Sequence, residues 1–445
     1  MEKKLTNKKR ALMGLQHLFA MFGATILVPL LTGLSVQVTL IAVGVGTLIF
    51  HFMAKGKVPV FLGSSFAFMV GIRLITNDTL GPFAGEAMSQ AEKLSYATGA
   101  IMVAGLLYFI LAAVVKFAGV EKFMKILPTV VTAPTVILIG IMLAPFAIDM
   151  ASDNWILAII TLSIIVIVSC YGKGMLKIIP ILLGLVGAYM VALVGHFVFD
   201  LGWIDFSVTT AAVEETAYGI VGMPPFMLPR FGIIPILIML PFALATIAEH
   251  IADMVILKRL SGKDFIKDPG LERTLVGDGL ATVFGAGIGG PATTTYSENV
   301  GVVALTKIFD GGVLIFAAIY AVILGFSPLF ASFIYSVPDA IIGGASFVLY
   351  GMIAAVGIRN LIEEQVDLND MKNTIIIAVM LVIGLGLRFG EPITFTVGDT
   401  MVPIGRLGVA IAVIVGIILN LILPSANKEE VKKPKTAKSK KAAKA

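Results

Sequence analysis

Long hydrophobic runs follow one another along almost the whole chain, separated by short polar segments. A helix needs about 20 apolar residues to cross the hydrocarbon core of a bilayer. By this criterion the sequence predicts an all-α polytopic membrane protein with fourteen spans, at 12–33, 37–54, 63–76, 95–117, 124–148, 155–171, 176–199, 232–257, 274–288, 294–308, 312–334, 338–358, 373–388 and 404–424. Three of these runs, 63–76, 274–288 and 294–308, are short and are expected to be interrupted.

The charges of the loops support an even number of spans. Cytoplasmic loops carry an excess of lysine and arginine, and both ends of this chain are basic. If both ends are cytoplasmic, the expected inner loops are rich in Lys and Arg, most densely between Lys258 and Arg273, whereas the alternate loops carry mainly Asp and Glu. The exceptions are scattered: Lys93, Arg230, Arg388 and Arg406. The alternation favours fourteen spans with both termini inside.

Composition excludes several classes of protein. The chain is 58% hydrophobic and only 14% charged, with a mean hydropathy of +0.98, which is outside the usual range of soluble domains. A single cysteine, Cys170, excludes disulfides and thiolate metal sites. The basic tail, 426–445, is expected to be disordered and to face anionic lipid rather than nucleic acid. No phosphate-binding loop, nucleophile elbow or metal motif appears, so we expect neither an enzyme nor an ATP-driven pump.

Two interrupted segments mark the candidate site. The stretch 285–307 passes from glycines and Pro291 through three threonines to a polar helix start, and Gly63–Phe68 is a weaker echo of it after Pro59. Phe66 would align with Tyr296. Each half of the chain would then hold seven spans, and because seven is odd, the halves would be inverted. Paired breaks in inverted halves indicate the binding site of a secondary transporter.

Carboxylates lie in or beside these segments. Glu249 and Asp253 are four residues apart, so both lie on one face of a helix. An ionised pair in hydrocarbon is costly, so at least one should be protonated or face water or substrate. For Asp253 the alternative is simple solvation at the cytoplasmic end. Glu298 can accept hydrogen bonds from ligand N–H groups, cap its own helix, or do both.

The remaining candidates could contact a substrate through backbone hydrogen bonds or through the flat faces of aromatic rings. Extended backbone at Ser64, Ser65 and Ser297 can present N–H and C=O groups to a planar amide or imide edge such as that of a pyrimidine or purine. Phe66 and Tyr296 either stack on a ring or pack in the core. His17, in the first span, is either a proton carrier or a structural histidine bonded to a neighbouring span.

These residues resemble the nucleobase–ascorbate transporter family, and most closely its bacterial uracil carriers. The family signature is Gln or Glu, then Asn-x-Gly, four residues, Thr, and Arg, Lys or Gly, and it is matched from Glu298 to Lys307. Further similar segments are LQHLFAMFGATILVP at 15–29, LGSSFAF at 62–68, IAEH at 247–250, DPGL at 268–271 and TTYSENVGV at 294–302. The resemblance extends over essentially the whole chain except the lysine-rich tail.

The resemblance implies a seven-plus-seven inverted repeat, with short strands in spans 3 and 10. Spans 1–4 (12–120) and 8–11 (231–335) would form a core domain. Spans 5–7 (121–230) and 12–14 (336–425) would form a gate domain that is compatible with a homodimer. Residues 1–11 and the tail would be cytoplasmic, and the protein would lie in the cell membrane.

The resemblance also implies proton-coupled import of uracil without a cofactor or metal. The substrate would be held by the carboxylates of Glu249 and Glu298, by backbone at Phe66 and Ser297, and by the surrounding Ala24, Tyr296 and Tyr350. Candidates for the coupled proton are Glu249, Glu298, Asp253 and His17. Two residues depart from the expected pattern: Asp253 replaces a histidine, and Ser297 replaces a glycine.

Two other functions remain open. A xanthine or urate symporter would share the architecture, although a glutamate rather than a glutamine at position 298 favours uracil. An anion exchanger of similar architecture should have a basic or neutral centre, and the acidic residues at the breaks count against it.

Overall fold

The protein is described by a computed structural model that covers residues 5–78, 81–83, 85–120, 122, 128–207, 209–210, 220–390, 394–397, 400–403 and 408–424. The first half contains α1 (Asn7–Thr32), α2 (Val36–Met53), β1 (Leu62–Ser64), α3 (Ala67–Thr76), α4 (Gln90–Ala118), α5 (Thr129–Ser152), α6 (Trp155–Tyr171), a 3₁₀ turn (Gly174–Ile178) and α7 (Pro180–Val198). The predicted tail, 426–445, lies outside the described residues.

The second half repeats the same kinds of element. It contains α8 (Ile233–Ser261), a π turn (Ile266–Gly270), α9 (Leu271–Gly287), β2 (Thr293–Thr295), α10 (Ser297–Thr306), α11 (Gly311–Gly325), α12 (Pro328–Tyr335), α13 (Asp339–Glu363), α14 (Met371–Phe389), β3 (Thr394–Val397), β4 (Thr400–Pro403) and α15 (Gly408–Ile422). The hairpin of β3 and β4 falls in a segment for which the sequence predicts no strand.

The mostly helical, polytopic architecture is confirmed. Within the described residues, eight helices are long and apolar enough to cross a membrane, namely α1, α2, α4, α5, α7, α8, α13 and α14, and the bent pair of α11 and α12 would be a ninth. The count of fourteen stays a prediction. Two details are wrong. The run 274–288 is not interrupted, since α9 is continuous. The run 312–334 is bent by 83°, because Ser327 caps a new helix that has Pro328 in its first turn.

The two interrupted segments meet as a pair of short strands. β1 and β2 are antiparallel, with Leu62 opposite Thr295 and Ser64 opposite Thr293. The ladder continues beyond the strands, because the N–H of Ser65 donates to the carbonyl of Ala292 at 2.9 Å. Non-helical backbone at membrane depth must be satisfied within the protein. The pairing meets that requirement and joins segments far apart in the chain.

Tyr296 fixes the way the strands cross. Its hydroxyl donates to the carbonyl of Ser64 at 3.1 Å, and its ring lies over Gly63. A Cβ atom at Gly63 would come within 2.2 Å of the ring. The close approach therefore requires glycine at this position.

Helices α5 and α13 pack with their backbones in contact. A Cβ atom at Gly140 of α5 would lie 2.6 Å from the carbonyl of Tyr350 and the N–H nitrogen of Ala354, both in α13. Small residues at such interfaces allow helices to approach closely in membranes. This pair forms a wall beside α8 and α3.

Most of the exposed surface of the outer helices is apolar, as contact with lipid requires. Examples are Phe197 of α7, 71% exposed, and Val382 of α14, also 71% exposed. Two basic exceptions to the loop-charge pattern have local partners: Lys93 pairs with Asp78, and Arg230 pairs with Glu92 at 3.0 Å. Local ion pairs thus account for these two basic residues, whose positions the positive-inside rule does not explain.

We predict that Gly63→Ala destabilises the protein, because the added methyl group must displace the Tyr296 ring or the strand. Overpacking of this kind costs about 1–3 kcal/mol, so the apparent Tm of the detergent-solubilised protein should fall by several degrees. Gly287→Ala is the matched control, since nothing lies within 4 Å of its Cβ position. Equal Tm values for the two variants would contradict the close contact.

Candidate functional site

The site is built where α8 passes the start of the half-helix α10. Glu249 lies in the middle of α8, and Glu298 lies in the first turn of α10. Both side chains are half-buried. The carboxylates of Asp253, Glu298 and Asp278 are all close enough to Glu249 to interact with it electrostatically. The structure therefore brings together the carboxylates that the sequence singles out and adds one more, on α9.

Glu298 lies in the first turn of α10. Whether its carboxylate caps that helix, binds a ligand or does both stays a prediction. The amides of the first turn of α10 have no partner within the helix, as at any helix start. Glu298 as a whole residue is half-buried, and these unpaired amides lie beside it.

Asp253 is not solvated at the end of the span. Its side chain is only 2% exposed, and it accepts a hydrogen bond from the hydroxyl of Thr295 at 2.7 Å. This excludes the interpretation in which Asp253 is simply hydrated. Since Thr295 belongs to β2, the bond ties α8 to the strand crossing, one turn away from Glu249.

A second buried polar group lies behind Glu249 and was missed by the sequence analysis. Asp278 of α9 is fully buried, and one of its carboxylate oxygens lies 3.3 Å from Nδ1 of His250. Nε2 of the same ring is 2.9 Å from the hydroxyl of Thr274. The signal was available, because an aspartate in the apolar run 274–288 is an intramembrane charge. Its partner lies on another helix and has no local signature.

His17 and Asn299 tie α10 to α1. The side-chain amide of Asn299 donates to Nδ1 of His17 at 3.2 Å and to its backbone carbonyl at 3.3 Å. Nδ1 is then the acceptor, which places the proton of a neutral ring on Nε2. These hydrogen bonds agree with the interpretation of His17 as a structural histidine bonded to a neighbouring segment. Its role as a proton carrier stays a prediction.

The signature residue Lys307 ends α10 in the left-handed conformation, with φ +56. Glycine adopts this conformation without strain, and a non-glycine residue adopts it at some cost. The position therefore needs a particular backbone shape more than a particular side chain. This explains why the family signature admits glycine beside two basic residues.

The predicted aromatic and small residues lie around the strand crossing and the wall. Phe66 is half-buried and occupies the N-cap position of α3. Tyr296 is 3% exposed and packs on the strand crossing, and Ala24 of α1 is 1% exposed. Tyr350 of α13 is 2% exposed and belongs to the wall formed by α5 and α13. Ser297 is the first residue of α10. Their contacts with substrate stay predictions.

The half-helix α3 contacts this wall through Arg73. The guanidinium carbon of Arg73 lies 4.5 Å from the centre of the Phe146 ring of α5. Such a cation–π contact is favourable where the charge is partly desolvated. Among the described residues, no group of three or more His, Cys, Asp or Glu side chains is arranged to hold a metal ion.

Comparison with known proteins gives concordant matches. A family model described as "Permease family" matches residues 8–393. The chain is 40% identical over 435 residues to the uracil permease of Bacillus subtilis (strain 168), covering 94% of this chain and 93% of that protein. It is 36% identical over 430 residues to the putative pyrimidine permease RutG of Escherichia coli (strain K12), covering 95% and 91%. The matched stretch contains every motif on which the predicted resemblance rests, and the resemblance is confirmed.

Solved structures with the same fold are more distant. The transmembrane domain of the cyanobacterial bicarbonate transporter BicA matches with a TM-score of 0.56 and 15% identity, covering 94% of this chain and 98% of that one. The murine anion transporter Slc26a9 in its inward-facing state matches with a TM-score of 0.62 and 12% identity, covering 94% and 69%. At this level of identity the likeness concerns the fold alone.

We predict that Thr295→Val destabilises the protein, because it removes a donor from a buried carboxylate. Hydrogen bonds to charged groups contribute about 1.5–3 kcal/mol, so the apparent Tm of the solubilised protein should fall. The matched control is Thr294→Val. The Thr294 hydroxyl is buried and has no hydrogen-bond partner among the described residues, so its loss should be neutral or stabilising. If the two variants were equally stable, the hydrogen bond to Asp253 would make no measurable contribution to the stability of the protein.

Proposed function

Because the chain belongs to the permease family, we propose that it is a secondary active transporter that imports uracil by proton symport. Its relatives, which it matches over nearly their full length, are named uracil permeases. The chain is a multi-pass membrane protein, and both the family and the names of its relatives indicate transport rather than catalysis.

The observation that carries the proposal is the pair of half-buried carboxylates, Glu249 and Glu298, beside the start of α10. Uracil has two ring N–H groups and two carbonyl oxygens alternating around its edge. Carboxylates accept hydrogen bonds from the N–H groups. Free amides at the starts of α3 and α10, near Phe66 and Ser297, can donate to the carbonyls. The donor and acceptor pattern of the site therefore complements an imide edge.

The acidic surroundings support proton coupling. Glu249 interacts with the like charges of Asp253, Glu298 and Asp278. Several ionised carboxylates repel one another strongly in a dry environment. Binding a proton therefore lowers the free energy of the cluster. Proton uptake on the outer face would prepare Glu249 to bind the substrate, and release on the inner face would weaken binding. His250 and His17 are the neighbouring groups through which the proton could pass.

Alternating access would be achieved by movement of a core domain against a gate domain. We assign 12–120 and 231–335 to the core, because α1, α3, α8 and α10 meet around the strand crossing. We assign 121–230 and 336–425 to the gate, which contains the wall of α5 and α13. The cation–π contact between Arg73 and Phe146 would be made and broken between these domains.

The charge distribution supports cytoplasmic termini in the cell membrane. Two ion pairs, Arg10–Asp310 and Lys57–Asp268, tie the start of α1 and the end of α2 to loops that follow α10 and α8. Lys263 and Lys307 line the same polar pocket. The basic residues of four separate segments thus gather on the face that carries the N-terminus, as the positive-inside rule expects of a cytoplasmic face.

An anion exchanger is disfavoured by the chemistry of the site. The solved structures of similar fold include a bicarbonate transporter and an anion transporter. Here the facing groups at the breaks are glutamates, which repel an anion and accept hydrogen bonds from a neutral amide.

Substitution of the two glutamates tests the substrate site. Glu249→Gln and Glu298→Ala should each reduce uracil uptake into cells or vesicles to background while the protein still inserts in the membrane. The affinity of the purified protein should fall about 10- to 150-fold, as the loss of a hydrogen bond to a charged group predicts. Glu86→Gln, in an exposed loop, should behave as wild type. Normal uptake by either site variant would refute the assignment.

A separate experiment tests the substrate and the coupling ion. In proteoliposomes, an inward proton gradient should drive uracil accumulation, and a protonophore should abolish it because the gradient supplies the energy. Excess unlabelled xanthine should not compete with labelled uracil. Efficient competition by xanthine would favour the purine symporter, and accumulation that survives the protonophore would overturn proton symport.

A further inference from the structure

A cleft separates α8 from the wall formed by α5 and α13. It has a volume of about 100 Å³, and one face of α8, from Ala248 to Ile256, lies opposite Thr129 and Thr132 of α5 and Asn360 of α13. A cavity of this volume holds several water molecules, so the cleft can admit a small polar solute.

The cleft lies along the stripe of α8 next to the one that carries Glu249 and Asp253, about 100° around the helix. Ala248 and Ala252 line it, and they directly precede Glu249 and Asp253. Residues four apart share a face of a helix, so the two alanines form one stripe and the two carboxylates form the adjacent stripe. Glu249 keeps accessible surface although it lies in the middle of α8. The small alanine side chains leave room for a flat ring to lie against the helix.

Long ion pairs bridge the mouth of the cleft. The guanidinium of Arg259, near the end of α8, lies 3.7 Å from a carboxylate oxygen of Glu363 and 3.8 Å from one of Glu364. Both glutamates lie at the end of α13 and line the cleft. Exposed ion pairs contribute only about 0–1 kcal/mol. They can therefore close the mouth and still separate at little cost.

The mouth opens on the face that carries the N-terminus of the chain. Lys258, next to Arg259, pairs with Asp264 at 2.6 Å. Asp264 lines the polar pocket that also contains Arg10 and Lys307. The end of α8 therefore lies on the same face as the start of α1.

We propose that this cleft is a release subsite, in which a neutral single-ring nucleobase is held after it leaves the carboxylates. The proposal rests on the proposed function. The hydroxyls of Thr129 and Thr132 and the amide of Asn360 supply donors and acceptors for the ring, and the alanine stripe supplies an apolar surface. Separation of Arg259 from Glu363 and Glu364 opens the mouth and frees the nucleobase.

Cysteine labelling tests the subsite. Cys170 is the only cysteine in the chain, so Cys170→Ser gives a cysteine-free background in which Ala252→Cys is introduced. A membrane-impermeant maleimide should modify this residue from the face that carries the N-terminus and not from the other face. Uracil should slow the modification at least several-fold, and adenine, which has no imide edge, should not. Asn369→Cys, in the exposed loop after α13 and not among the residues that line the cleft, should react at a rate that uracil does not change.

Filling the cleft gives a second, independent readout. In Ala252→Phe the ring would occupy the space beside the carboxylates, so uracil uptake should fall at least tenfold while equilibrium binding by the purified protein stays within about twofold. Ala355→Phe, at an exposed position of α13 that is not among the residues lining the cleft, should leave both unchanged.

The outcomes separate the subsite from the function on which it rests. If wild-type protein bound no uracil, the proposed function would fail. If it bound uracil, but Ala252→Cys reacted at the same rate with and without uracil and Ala252→Phe transported normally, the release subsite alone would be wrong.

Discussion

Pairing of two short strands at membrane depth is the constraint on which the rest of this structure depends. A helix satisfies its own backbone, but the segments around Gly63 and Thr294 leave the helical conformation and must find partners elsewhere. The two segments pair with each other as the strands β1 and β2. The pairing in turn places the starts of α3 and α10 beside one another's strands, and the Tyr296 ring on Gly63 fixes the crossing. The junction also positions Asp253, through its bond to Thr295, and the start of α10, which follows β2 directly.

The carboxylates divide into two kinds by their surroundings. Asp253 accepts a hydrogen bond from the Thr295 hydroxyl and so ties α8 to β2, and Asp278 of α9 is buried 3.3 Å from the His250 ring of α8. Glu249 and Glu298 retain accessible surface. Because burial of an unpaired charge is costly, the second kind needs either water, a proton or a ligand. This difference in exposure, more than the number of acids, distinguishes groups that hold the fold from groups that can bind.

Local patterns predicted much of this arrangement. Apolar runs located the helices, the four-residue spacing placed Glu249 and Asp253 on one face, and the Gly- and Thr-rich stretches marked the breaks. What the sequence did not predict depends on contacts between distant segments. Nothing local to Asp278 indicates that His250 will face it, and nothing local to Thr295 indicates that it will donate to Asp253. The bend at Ser327 was not predicted for another reason. Ser327 and Pro328 together indicate a helix start, but they lie inside an apolar run that looks like a single span.

The strand pairing has a consequence for how the protein is made. β1 is synthesised long before β2, so while the second half of the chain is still on the ribosome, the backbone around Gly63 has no strand to pair with. That backbone must be sheltered by water, by lipid headgroups or by the insertion machinery until Thr293–Thr295 arrives. The binding site therefore cannot assemble before the chain has been made past Thr295 and α10. A chain truncated before β2 would lack the site and would leave the backbone around Gly63 without its strand partner.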